Sequence, residues 1–362
     1  MTALDRIVSD LGTRNRWGYE PDASEAERLG LEVRERVRLR PAAEDVVPTA
    51  LLVVDGQNDF CYPEGALFVA GRTGDGARGD LGRLAAWGYR NLDRLTTIAA
   101  TMDEHFLYQI FHPAFWLTPE GRHPAPYTMV SPADVRERRL VPNPAVHTLV
   151  PPQRRDRRPA AEWVEAQAAD YLARLAEDAR YELTIWPYHC LKGGSGQNLA
   201  GILRQLMMIH AFARNAAPVL IAKGDNPWTE SYSAVGPEVS RAFDGTPLLD
   251  ISAARPHATV AHILRTHRRV VIAGQALSHC VLWTLSDVVR LVDAGEIAPP
   301  AIYVLVDACS AVVVRDAGGA VLVDYTESAS AALQGLASRP YLHLVKTVDD
   351  VASWPAWGEG AP

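Results

Sequence analysis

The chain has 362 residues, 48% of them hydrophobic and 22% charged, an ordinary balance for a protein with one large elaborated core or two domains. Its net charge of −7 argues against nucleic acid or an anionic membrane as partner, since both select basic surfaces. The N-terminus carries mixed charge without an apolar h-region, and no apolar run approaches the roughly 18–20 residues of a membrane helix. Cys61, Cys190, Cys280 and Cys309 are scattered without CxxC spacing, which fits a reduced, cytoplasmic protein.

Residues 1–47 read as an N-terminal extension with one helical piece near Ser24–Arg38. A first apolar strand, Ala50–Val54, runs into Asp55 within VVDGQNDF. A helix is expected over Leu81–Arg94, then a strand at Thr97–Thr101 leading to Asp103-Glu104-His105. Residues 113–180 begin Pro-rich, pass through PPQRRDRRPA and end in a helix near Glu162–Asp178. This stretch reads as an insertion without strands or an apolar core of its own.

The alternation then resumes. Helix Asn198–Arg214 precedes strand Pro218–Ala222, which delivers Lys223; helix His257–Arg268 precedes strand Val270–Ala273, which leads through GQALSH to Cys280. Helix Ser278–Asp293, strand Ile302–Val306, helix Tyr325–Ala337 and strand Tyr341–Val345 complete the pattern, and 351–362 reads as a tail. Near-continuous apolar strands alternating with amphipathic helices imply an α/β fold. The expected form is a doubly wound, mostly parallel six-stranded sheet with helices on both faces, spanning 48–350. In such sheets the active site lies at the carboxyl ends of the strands.

Three of those ends carry Asp55, Lys223 and Cys280. A carboxylate can take the proton of a thiol, and a lysine cation and a helix N-terminus both favour the thiolate. Cys280 falls where a helix should begin, so backbone N–H groups there could bind an oxyanion. Taken singly, each residue has a bland reading: a small buried Cys, a solvated Lys. Their joint placement points to a nucleophilic site.

The motifs are more specific. VVDGQNDF, WPYHC at Trp186–Cys190, KGDNPWTESYSAV and AGQALSHCV resemble, in order, the D-x-Q-N-D-F, W-P-x-H-C, K-G…Y-S-A and G-x-A-T-D-x-C-V motifs of the nicotinamidase/isochorismatase-like superfamily. The resemblance spans about 49–310 and is strongest to nicotinamidase-type amidases. It implies Asp55 as general base, Lys223 as its cationic partner and Cys280 as nucleophile, with Ala276 and Cys280 N–H groups as oxyanion hole. It also implies a non-proline cis peptide at Gln275–Ala276 and a substrate pocket walled by Phe60, Trp186 and Tyr232. Leu277-Ser278 stands where the family has Thr-Asp, which leaves the substrate open.

The same resemblance makes Asp103, His105 and His189 ligands of a divalent metal (Zn, Fe or Mn). His112, one residue off the family spacing, is the candidate third histidine, and His123 the alternative. The competing reading has Asp103 and His105 capping a strand end and His189 packing behind Trp186. No organic cofactor is expected. The activity implied is thioester-mediated hydrolysis of a small amide with release of ammonia, nicotinamide leading. An N-carbamoyl, ureido or specialised amide comes second, and a non-catalytic binding relative third. A homo-oligomer is compatible with the extra segments. Phe115, Trp116, Pro124 and Tyr127 read equally as a lid or as sheet-edge packing, and Cys61 and Cys309 as inert.

Overall fold

Six strands, each dominated by apolar residues, form the central sheet: β1 (Thr49–Val54), β2 (Thr97–Asp103), β3 (Val219–Lys223), β4 (Arg269–Gly274), β5 (Ala301–Leu305) and β6 (Leu342–Val345). They come from a computed structural model that describes residues 3–177, 181–248, 258–316 and 318–358. Every residue of β1 and β5 is buried, as expected of strands covered on both faces. All neighbours pair in parallel, in the order β3-β2-β1-β4-β5-β6.

That order reverses between β1 and β4. The chain winds one way from β1 to β3 and the other way from β4 to β6, so the connections diverge above β1 and β4 and open a crevice at their carboxyl ends. Asp55 directly follows β1, and Gln275 directly follows β4. At Gly274 (φ +123°) a Cβ would lie 2.0 Å from the Val54 carbonyl oxygen. Only glycine lets the two strand ends approach this closely.

The helices are α1 (Ala3–Arg14), α2 (Ala23–Val37), α3 (Gly76–Arg90), α4 (Ala160–Glu177), α5 (Gly201–Arg214), α6 (Val260–Thr266), α7 (Leu282–Asp293) and α8 (Thr326–Leu336). Asp22 caps α2 by accepting from Glu25 N–H, and Leu29 and Val33 bury the α2 stripe in the main core. Of the helix expected at His257–Arg268, the start lies outside the described residues, as does Asp178 at the end of the insertion's helix. The helix expected to start at Ser278 begins instead with a wider turn, Leu277–Val281, before α7. Such π-type turns occur mostly as single turns, frequently at functional sites.

Two corrections concern the flanking segments. The insertion does contain strands: Trp116–Leu117 pairs with Val141–Pro142, and Met129–Val130 pairs with Leu183–Thr184. Two-residue ladders are too short to leave a period in the sequence. Its Phe115, Trp116, Trp163 and Tyr171 are fully buried and belong to the main core, so Phe115 and Trp116 pack rather than form a lid. Of the segment read as a tail, Val351, Trp354 and Trp357 are buried. Trp354 stacks on Trp87 (centroids 5.8 Å apart), and the Arg269 guanidinium lies 4.7 Å from the Trp357 ring centre.

Candidate active site

Lys223, at the last position of β3, is 3% exposed and sits at the centre of the crevice. Its Nζ lies 3.0 Å from Asp55 Oδ2, 2.5 Å from Asp103 Oδ1, 2.9 Å from the Ser231 carbonyl oxygen and 3.6 Å from Cys280 Sγ. Parallel register makes this possible, because Asp103 and Lys223 are direct partners on neighbouring strands. Burial alone would favour neutral lysine, but Asp103 and Asp55 hold the Lys223 proton and raise its pKa well above the ordinary value.

Asp55 has φ +47°, a left-handed conformation costly for a non-glycine residue. It is held there because its N–H donates to Thr101 Oγ1 (3.0 Å), and the Thr101 hydroxyl donates back to Asp55 Oδ1 (2.6 Å). Oδ2 faces Lys223 without a well-directed hydrogen bond, so it can accept a further proton. Burial raises the Asp55 pKa, with Asp103 reinforcing the shift against the pull of Lys223. A carboxylate so raised is a stronger base.

Cys280 lies in the wide turn after β4, and an Asp55 oxygen, an Asp103 oxygen and its Sγ all fall within 4.8 Å of one another. Burial pushes its thiol pKa well above the ordinary value, outweighing Lys223. The sequence reading expected Lys223 and the helix start to favour a resting thiolate. In the folded chain desolvation wins, so the thiol needs a base as it reacts. Among the described residues, the N–H groups of Ala276 and Cys280 have no backbone acceptor outside the turn. The peptide Gln275–Ala276 is cis.

Beside this centre stand three imidazoles, with ring centres of His105, His112 and His189 4.8–5.8 Å apart. Each Nδ1 meets a carbonyl oxygen: Gly224 for His105 (2.8 Å), Phe106 for His112 (3.1 Å) and Pro187 for His189 (2.7 Å). A carbonyl can only accept, so each neutral ring carries its proton on Nδ1 and a lone pair on Nε2. Gly224 (φ +78°) allows this close approach, since a Cβ there would lie 2.7 Å from His105 Cε1. Burial lowers the pKa of His189 to about 3 and of His112 to about 2.

Ligand atoms of Asp103, His105 and His189 lie within 4.8 Å of one another, and His112 Nε2 is buried with no hydrogen-bond partner among the described residues. Burial opposes ionisation of Asp103, yet Lys223 and then His105 hold it well below the usual carboxylate range. One carboxylate and inward lone pairs on neutral imidazoles are the donor set of a divalent metal, so these residues fit one. His123 is exposed, its Nδ1 meeting the Trp116 carbonyl.

Phe60, Trp186 and Tyr232 line one small cavity with His189 and Cys280, holding about 40 Å³ for the centres of water-sized atoms. The Phe60 ring packs 5.5 Å from His189, and Trp186 Nε1 donates to the Tyr232 hydroxyl at 2.8 Å. Tyr127 meets the outer edge of Trp186 at 6.0 Å and is 45% exposed. His279, adjacent to Cys280, turns to Trp186 and Tyr232, and its Nδ1 pairs with Ser278 Oγ.

Sequence reasoning missed several groups. Gln57 donates to the Asp103 carbonyl and accepts from the Asp103 N–H, both at 2.7 Å, tying the first strand end to the second. Asp59 accepts from Cys190 N–H at 2.7 Å and so holds the turn carrying His189. Both lay inside the quoted VVDGQNDF motif, which was the available signal. Glu230 likewise lay inside the quoted KGDNPWTESYSAV segment; Thr101 gave none.

No protein-family model matches the chain. A stretch of 110 residues is 28% identical to the nicotinamidase of Escherichia coli (strain K12), covering 30% of this chain and 41% of that enzyme. The chain is similar to nicotinamidases. The match spans about two-fifths of that relative's length. Among solved structures, the Acinetobacter baumanii nicotinamidase/pyrazinamidase is 19% identical with a TM-score of 0.49, covering 84% of this chain and 99% of its own. The yeast nicotinamidase bound to nicotinaldehyde is 19% identical, TM-score 0.46, covering 82% and 99%. The Pyrococcus horikoshii pyrazinamidase in complex with zinc is 20% identical, TM-score 0.40, covering 82% and 98%.

Proposed function

We infer that this protein is a cysteine amidohydrolase that cleaves a small carboxamide and releases ammonia, with nicotinamide the leading substrate. The observation that carries the reading is Lys223 Nζ standing 3.0 Å from Asp55 and 3.6 Å from Cys280 in the wall of a small cavity. The stretch shared with the Escherichia coli nicotinamidase supports the choice of amide.

In this reading Asp55 takes the Cys280 proton while Sγ bonds to the carbonyl carbon. The oxyanion accepts from the Ala276 and Cys280 N–H groups. Lys223 stays protonated and stabilises the negative charge as it moves between carboxylate and sulfur. Asp55 then passes the proton to the leaving nitrogen, the C–N bond breaks, and ammonia departs. Water attacks the thioester with Asp55 as base, the C–S bond breaks, and the thiol is restored. Asp103, His105 and His189, with His112, would hold a divalent cation such as zinc, which supplies a Lewis-acidic point for orienting substrate.

A second reading keeps the chemistry and changes the substrate to an N-carbamoyl, ureido or specialised amide. Leu277-Ser278 before the nucleophile and Glu230 in the cavity wall favour it. Ammonia release from nicotinamide, ureido compounds and aliphatic amides separates the two. Cys280→Ala is expected to lower turnover on the order of 10⁴-fold or more with an unchanged circular-dichroism spectrum. Residual activity near the parent's would sink the assignment, and absence of ammonia from every amide would favour a non-catalytic relative.

A further inference from the structure

One polar group in the cavity wall has no part in that chemistry. Glu230, in the loop after β3, is 4% exposed and lines the cavity beside Ser231 and Tyr232. Its Oε1 accepts from Trp186 Nε1 at 3.1 Å. Its Oε2 is buried and has no hydrogen-bond partner among the described residues, a costly arrangement unless something else completes it. Holding Trp186 does not require this carboxyl, because the same indole N–H donates to the Tyr232 hydroxyl at 2.8 Å. A glutamine or an apolar residue would fill the wall without burying an acid.

We propose that Glu230 determines substrate specificity by hydrogen-bonding, through Oε2, an acceptor atom of the substrate remote from the scissile carbonyl. The substrate is then a carboxamide with a second polar atom, not an apolar amide; this rests on the amidohydrolase reading above. Burial, reinforced by the nearby charge of Glu238, raises the Glu230 pKa well above the usual carboxylate range, which favours the protonated acid. With Oε1 receiving the indole N–H, that proton belongs on Oε2, which donates. The atom it fits is an acceptor: a ring nitrogen, a carbonyl oxygen or an ether oxygen. A pocket built around such a bond rejects the analogue lacking the acceptor far more strongly than an apolar wall distinguishes similar shapes.

Benzamide and the three pyridinecarboxamides move one acceptor around a ring of constant size. Their binding is measured by calorimetry on Cys280→Ala protein, with Glu230 intact, as Glu230→Gln and as Glu230→Leu. One pyridine isomer is expected to bind at least about tenfold tighter than benzamide. Glu230→Leu should abolish that ratio, while Glu230→Gln should keep it within a few fold, because its amide donates from the same place. A ratio unchanged in the Leu variant, a loss as large in the Gln variant, or no preference in the parent overturns the proposal. Ammonia release by the wild-type chain is scored separately. A Glu230-dependent preference without any ammonia release defeats the hydrolase reading, and with it the substrate role, and leaves only the Glu230 binding contact standing.

Discussion

Around Lys223 opposite charges face one another. The ammonium faces Asp55, Asp103 and the Ser231 carbonyl, and Thr101 donates to Asp55 Oδ1. Around the three histidines they do not. Each Nδ1 is tied to a carbonyl, and the buried His112 Nε2 has no hydrogen-bond partner among the described residues. The first cluster carries its own counter-charges and needs only a proton to move within it. The second gathers imidazole nitrogens beside one carboxylate, a donor set that suits a divalent cation. Asp103 belongs to both, giving Oδ1 to Lys223 and Oδ2 to the His105 side.

If the Lys223 cluster is self-completing, removing its only cation should be the most damaging change. Lys223→Met leaves Asp55 and Asp103, both almost fully buried, facing each other uncompensated. Breaking a buried pair from one side costs about 3–5 kcal/mol, and urea unfolding reads this as a lowered midpoint. An unchanged midpoint would show that the two carboxylates find compensation without Lys223, and the contrast between the clusters would fall.

This contrast was half legible beforehand. Asp55, Lys223 and Cys280 each end an apolar run, and parallel strands bring such ends to one edge, so their convergence followed from the pattern. The strand order did not: nothing in the residues says that β4 lies beside β1, although that adjacency sets Cys280 against Asp55. The state of the thiol was also out of reach, because it depends on how completely the fold excludes water, which no local motif records. His112 was identified by proximity to a motif, but its tethered Nδ1 and unpartnered Nε2 are tertiary facts. Glu230 lay inside the quoted KGDNPWTESYSAV motif, but its contact with Trp186 and that of Thr101 with Asp55 are made in three dimensions, which the motif does not record.

A fourth buried histidine sharpens the comparison from outside the site. His210 on α5 donates from Nε2 to the Leu95 carbonyl at 2.8 Å, and burial lowers its pKa to about 4. The unfolded chain takes up this proton near pH 6.5, the folded chain only near pH 4. Stability from this residue is therefore intact above pH 6.5 and falls as the pH drops through that window, by about 1.4 kcal/mol per unit. The loss reaches on the order of 3 kcal/mol at its lower end. Subtracting the curve of His210→Gln from that of the parent cancels the other histidines, and a flat difference between pH 4 and 6.5 would contradict the neutral, buried assignment.

The finest test concerns the edge of the histidine cluster. His112 lies deepest in the insertion side, tethered like His105 and His189, yet it falls outside the tight grouping that those two form with Asp103. If its Nε2 serves the same centre, His112→Ala should weaken zinc binding, read by competition with a chromogenic chelator, by roughly tenfold to a hundredfold. His123→Ala should change nothing, because that ring is exposed and its Nδ1 faces the Trp116 carbonyl. Equal zinc affinity in the His112 variant and the parent would limit the ligand set to Asp103, His105 and His189. The histidine cluster would then be smaller than its ring packing suggests.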